Sequence, residues 1–176
     1  MQIITDFISQ SYQDIVEENF LSIKFPWYYT TNIDGKKMEN TGFSHQFSDD
    51  ESPYSHYYKL TLPILTEALN KIGKRYKDLY RIRAGMFIRN QNGVGALHSP
   101  HVDQDYEHLT LLYYVTDSDG PTNFWRTIDG KKQIIKQIIP EKGKAVLFPF
   151  KTYHSSSCPV ESPIRITLNY NFSCIK

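Results

Sequence analysis

Residues 97–115 read "LHSPHVDQDYEHLTLLYYV", with three histidines, two aspartates and a glutamate ahead of an aromatic, β-branched run. The run bears on fold class and the cluster before it bears on chemistry. "HLTLLYYVT" (108–116) is short and rich in β-branched and aromatic residues, which suits a pleated strand. Similar runs recur in "LYRIRAGMFIR" (79–89), "TNFWRTI" (122–128), "KQIIKQII" (132–139), "KAVLFPF" (144–150) and "IRITLNYNF" (164–172). The turn signals "DSDGP", "DGKK", "PEKGK" and "ESP" separate them. Asp129-Gly130 between two runs is a hairpin signal. Many short strands at this spacing predict a sandwich or jelly roll.

The chain before this region has a different period. Residues 9–24 put Ile15, Phe20 and Ile23 on a helical stripe with Ser9 or Ser11 as cap, and "FPWYYT" stops it at Pro26. Residues 30–56 are polar and read as a long connection or short hairpin, able to act as a mobile flap. Residues 57–76 predict a second helix that Pro63 starts or kinks. The expected chain is one domain over 1–176: helical support over about 1–79, buttressing a β core over about 80–173.

Bulk composition excludes several classes. With 20 basic and 19 acidic side chains the chain lacks the basic balance of a phosphate-backbone binder, so nucleic acid is not an expected partner. No apolar run is long enough for a membrane span, and the N-terminus lacks a basic leader, so a cytoplasmic location is expected. Cys158 and Cys174 form no CxxC pair and read as reduced thiols.

In the opening cluster, His101 and Asp103 are two apart, so on a strand both reach one face. His98 has the opposite parity, Asp105 sits where the strand ends, and His108 lies past a turn, which leaves these three at the rim or behind the site. A bare HxD is weak evidence, since chance alone yields about 0.4 such matches in this composition. A third ligand is available at His154, 51 residues after Asp103, and Arg165 follows eleven residues later. On its strand Arg165, Thr167, Asn169 and Asn171 share one face, and Ile166, Leu168, Tyr170 and Phe172 the other. The polar face lines a cavity or faces water. Two histidines and a carboxylate form the facial triad that leaves positions open on Fe(II), and an arginine fork suits a remote carboxylate.

The order HxD, a gap of about fifty residues, H, then R-x-S/T resembles the Fe(II)/2-oxoglutarate-dependent oxygenases. "PHVDQDYEHLTLLYYVTDSDG" (100–120) is most similar to their prolyl 4-hydroxylase-like branch, over about residues 80–173. The resemblance implies a double-stranded β-helix core, with Fe(II), 2-oxoglutarate and O2 as cofactor and cosubstrates. It implies His101, Asp103 and His154 as iron ligands, Arg165 for the distal carboxylate of 2-oxoglutarate, Thr167 assisting it, and Tyr114 donating a phenol to the same group. Asn169 reaches toward the metal's surroundings or is structural, and Asn90 is a candidate for the metal-proximal carboxylate. The implied reaction couples decarboxylation of 2-oxoglutarate to hydroxylation of a substrate, with a prolyl or other residue in a protein as first candidate. No protein nucleophile is needed, so Ser155, Ser156 and Ser157 read as loop or strand-end serines.

Trp125 either touches substrate at the cavity mouth or is a core aromatic. Lys71, Lys74, Arg75, Lys77, Arg81 and Arg83 read as a solvated helix end. His45 and His56 are expected to be exposed. Two alternatives stay open: a non-catalytic jelly-roll binding module, and a cupin-like metalloenzyme that does not use 2-oxoglutarate.

Overall fold

The structure, a computed structural model, describes residues 1–31, 41–49, 52–89 and 96–175. Two antiparallel sheets carry it. The larger has the order β1 (Gln2–Ile4), β9 (Ala145–Pro149), β6 (Leu109–Tyr114), β11 (Ile164–Cys174), β5 (Tyr76–Ile88), β3 (Gly42–Asp49), β2 (Tyr28–Thr30), with β4 (Ser52–Pro53) paired to β3. The smaller has the order β10 (His154–Ser156), β7 (Thr122–Ile128), β8 (Lys131–Ile138). Asp129 and Gly130 both have positive φ, 49° and 73°, as the tight β7–β8 hairpin turn requires.

Strand alternation divides the larger sheet into two faces with separate cores. One face is apolar. Ile82, Ala84, Leu111, Tyr113, Ile166, Leu168, Tyr170 and Phe172 pack there against Val16 and Phe20 of α1 (Gln10–Leu21) and Ile64, Leu65, Ala68 and Leu69 of α2 (Tyr58–Lys71). Each of the larger aliphatic and phenylalanine side chains taken fully from water contributes about 1.5–3 kcal/mol before entropy is charged. The other face meets the smaller sheet through a second cluster of Leu112, Tyr114, Phe124, Ile138, Val146 and Phe148. Tyr113 and Tyr114 thus enter different cores, as their parity requires.

Several expectations for the first half change. The larger sheet is not confined to residues after 79, because β1 to β4 come from the first 53 residues and β5 begins at Tyr76. In α1 the buried residues are Val16 and Phe20, an i, i+4 pair. Ile15 is exposed, and Ile23 lies past the helix end, fully in solvent. Ser9 is the cap, its side chain accepting from the Tyr12 N–H. Pro63 lies inside α2 rather than at its start. His56 is exposed as expected, but His45 is buried on β3. Its Nδ1–H donates to the Pro26 carbonyl at 2.8 Å and its Nε2 accepts from Ser55 Oγ at 2.7 Å. Within the expected flap over 30–56, residues 42–49 and Ser52–Pro53 are strand and Thr30 ends β2, while residues 32–40 and 50–51 lie outside the described residues.

Gly120 sits where two chain segments touch. A Cβ there would lie 2.6 Å from the Ser157 carbonyl oxygen and 2.9 Å from Pro159 N, backbone atoms that cannot turn aside. Gly120→Ala is therefore expected to lower stability by about 1–3 kcal/mol, read as a shift of the urea midpoint.

Candidate metal centre and adjoining cavity

His101, Asp103 and His154 meet between the two sheets, their ligand atoms all within 4.8 Å of one another. Continuous strand does not bring the first two there. Residues 97–101 run beside β10 through two isolated bridges, Leu97 with Ser157 and His101 with His154. His101 and His154 exchange both backbone hydrogen bonds, at 2.9 and 3.0 Å, which fixes their imidazoles side by side. Ring centroids are 4.7 Å apart.

Each group has its orientation set by a partner behind it. His154 Nδ1–H donates to the Thr152 carbonyl at 3.0 Å and His101 Nδ1–H to the Ser99 carbonyl at 3.2 Å. A carbonyl only accepts, so Nε2 is the ring nitrogen that offers a lone pair on both. Asp103 Oδ2 accepts three bonds, from Thr110 Oγ1 at 3.0 Å and from Asn169 and Asn171 Nδ2 at 3.1 Å each. Oδ1 points the other way, 3.6 Å from His154 Nε2 and 3.7 Å from Arg81 Nη2. Burial would raise the Asp103 pKa. The charges of His154 and Arg81 and the Asn169 bond outweigh it and hold the carboxyl well below its usual range. Burial likewise opposes protonation of His154, and Asp103 more than reverses this. The donor set, two Nε2 and one carboxylate oxygen on one side of a small space, fits a facially bound divalent metal with open positions.

A cavity of about 90 Å³ extends from these groups between the sheets. That is several times the roughly 10–15 Å³ that one water needs, so the space admits a small polar molecule. At its far end lies Arg165, 2% exposed. Its Nε donates to the Gly120 carbonyl at 2.9 Å and its Nη2 to Thr122 Oγ1 at 2.7 Å, with Phe87 and Tyr114 rings about 6 Å away on either side. Nη1 is unengaged among the described residues. Burial lowers the Arg165 pKa, yet a guanidinium keeps its charge.

Thr167 and Thr122 line this end beside Arg165. Thr122 was not legible as a site residue, and its part follows from donor counting. Its hydroxyl oxygen accepts from Arg165 and from Tyr114 Oη at 2.9 Å, so its own hydrogen is left to donate. Tyr114 is fully buried and stands behind Thr122 rather than on the cavity wall.

The other residues of the opening cluster fall as follows. Asp105 is exposed. His108 is buried, donating through Nδ1 to the Tyr106 carbonyl. His98 is buried against Phe87 and reaches Ser156 Oγ and Cys158 Sγ, so neither histidine is at the rim. Trp125 does not line the cavity; its indole N–H donates to Ser155 Oγ, which does. Arg81 and Arg83 are not on a solvated helix end, since they lie on β5 and line the cavity. Asn90 lies outside the described residues. Both cysteines are free, and among the described residues no helix is long and apolar enough to cross a membrane.

Gly85, between Arg83 and Phe87, keeps the cavity open. A Cβ there would meet only Thr167 Oγ1, at an ordinary 3.8 Å. Gly85→Val is expected to fold and to weaken binding of a small dicarboxylate by about tenfold or more through overfilling, measured by calorimetry.

No protein-family model matches the chain, and no curated protein matches it either. Solved structures do match. A prolyl hydroxylase from Trichoplax adhaerens, in complex with a hypoxia inducible factor oxygen degradation domain peptide fragment, superposes with TM-score 0.63 at 13% identity over 98% of this chain and 82% of that one. An oxidoreductase of the 2OG-Fe(II) oxygenase family from Burkholderia pseudomallei gives 0.62 at 15% identity over 90% and 78%. A non-heme alpha ketoglutarate dependent epimerase from nogalamycin biosynthesis gives 0.64 at 12% identity over 97% and 76%. The chain therefore has the jelly-roll fold of the 2-oxoglutarate-dependent, iron-dependent oxygenases and prolyl hydroxylases.

Proposed function

We propose that this chain is one Fe(II)- and 2-oxoglutarate-dependent oxygenase domain that hydroxylates a substrate yet to be identified. The observation that carries the reading is a single cavity with a His-Asp-His donor set at one end and a buried, hydrogen-bonded arginine at the other. His101 and His154 would hold the metal through Nε2 and Asp103 through Oδ1. Thr110, Asn169 and Asn171 hold Asp103 in that pose. Arg165, Thr167 and the Thr122 hydroxyl would take the distal carboxylate of 2-oxoglutarate, and Tyr114 would fix the Thr122 hydroxyl. The iron, when bound, supplies activation of O2 coupled to oxidative decarboxylation of the oxoacid. Leu112 and Phe87 line the cavity as apolar walls that limit water.

The first substrate class to test is a prolyl or other residue in a peptide, on the likeness to prolyl hydroxylases. Trp125 would position Ser155, whose side chain it holds through the indole N–H. Two free cysteines fit a reducing, cytoplasmic setting. An intact donor set favours an enzyme over a metal-free binding module, and a buried arginine facing it favours an oxoacid cosubstrate over a cupin-like enzyme without one.

Anaerobic calorimetry tests the reading. One Mn(II) or Fe(II) per chain is expected, and 2-oxoglutarate is expected to bind tightly only once metal is present. Absence of a stoichiometric metal site would overturn it.

A further inference from the structure

Arg81 and Arg83 belong to the wall on the metal's side of the cavity, and no role proposed so far uses them. They are next-but-one neighbours on β5, paired in register with Asn171 and Asn169 of β11, so strand alternation sends both toward the Asp103 side. Counter-charge is scarce there. Arg81 has Asp103 Oδ1 at 3.7 Å, and its buried Nε has no hydrogen-bond partner. Arg83 is half-buried; Arg81 repels it, and Asp103 is the acid that acts on it. Asp103 is itself the carboxylate assigned to the metal, with one oxygen saturated by three donors. The charges of Fe(II) and the 2-oxoglutarate dianion cancel. What remains is three arginines, Arg81, Arg83 and Arg165, against one aspartate among the described lining residues. A partly buried guanidinium left without an anion is costly, and its planar fork matches a carboxylate or phosphate.

We propose that Arg81 and Arg83 form the recognition wall for the primary substrate and select one that carries a carboxylate or phosphate close to the C–H bond under attack. The inference rests on the oxygenase reading. Arg165 serves the far end of the cavity, so these two arginines are placed to hold a second anionic group beside the metal while 2-oxoglutarate is bound.

Inorganic phosphate, titrated into protein loaded with Mn(II) and 2-oxoglutarate, is the probe, and its phosphorus NMR relaxation by the metal is the readout. The wild type is expected to give saturable relaxation enhancement. Arg83→Gln and Arg81→Gln are expected to weaken phosphate binding about tenfold or more. Arg126→Gln, on the exposed part of β7, is expected to leave it unchanged. Arg83→Gln should keep its Mn(II) affinity, which separates loss of the anion site from loss of fold. Three results overturn the inference: no saturable enhancement in the wild type, enhancement that survives in both variants, or phosphate that binds only by displacing 2-oxoglutarate. The last would give the arginines to the cosubstrate's metal-proximal carboxylate. Relaxation of the 2-oxoglutarate methylene protons in the same samples reports on the oxygenase reading by itself. If that signal is present and phosphate fails, this inference alone falls; if it is absent, both fall.

Discussion

Asp103→Asn is expected to leave a folded protein that no longer holds metal, with 2-oxoglutarate turnover reduced by on the order of a thousandfold or more, about 4 kcal/mol or more of lost stabilisation. The substitution keeps the shape and removes the charge. It also turns the group. Three donors, from Thr110, Asn169 and Asn171, converge on Oδ2, so an amide there presents its oxygen to them and its NH2 to the metal position. An NH2 group has no lone pair to offer a metal, and it meets the Arg81 guanidinium with the wrong sign. Asn171→Ala makes a useful contrast. It removes one donor from behind the carboxylate and leaves the ligand itself, for which a loss of about 10–100-fold in metal affinity is expected. Metal content by atomic absorption and stability by circular dichroism separate the two effects. A non-catalytic module would show neither.

Arg165→Gln is expected to raise the dissociation constant of 2-oxoglutarate steeply while leaving metal affinity within a factor of about two. Arg165 is buried, and losing the charge there costs about 2–5 kcal/mol of carboxylate binding, or about thirtyfold to several thousandfold. Lysine is a poor substitute, because the fork is shaped by Gly120 and Thr122 and lies between the Phe87 and Tyr114 rings. Arg165 also ties β11 to the loop before β7, so the variant's melting temperature must be measured beside its binding. Thr122→Val provides a check with no change of charge. It removes the hydroxyl that Arg165 and Tyr114 polarise, and about a tenfold loss of 2-oxoglutarate affinity is expected. A cupin-like enzyme that does not use the oxoacid would keep full activity in both variants, and turnover assays read that directly.

The polar and apolar faces of β11 were legible because alternation over a long strand leaves little choice: Arg165, Thr167 and Asn169 line the cavity, while Ile166, Leu168, Tyr170 and Phe172 face the apolar core. The His101, Asp103 and His154 grouping was legible from residue type and spacing, although the local structure is an interrupted strand beside β10 rather than a continuous one. Thr122 carried no signal, since its part depends on which two donors reach its oxygen in space. Arg81 and Arg83 were misplaced for a related reason. A run of cations after a helix looks like a helix end, but β5 begins at Tyr76, and from there alternation turns the same residues into cavity wall. The first half was least legible. β3 lies in a polar segment whose burial comes from pairing with β5 and from Phe25 and Tyr57 beside His45, contacts that no local pattern reports.

The most direct test is succinate formation from 2-oxoglutarate by the purified chain, with Fe(II) and O2 supplied and no primary substrate added. The account predicts slow, uncoupled turnover that requires both iron and oxygen and is lost in His154→Ala. Succinate formation that does not depend on iron, or its complete absence from protein that holds one Fe(II) per chain, would contradict it.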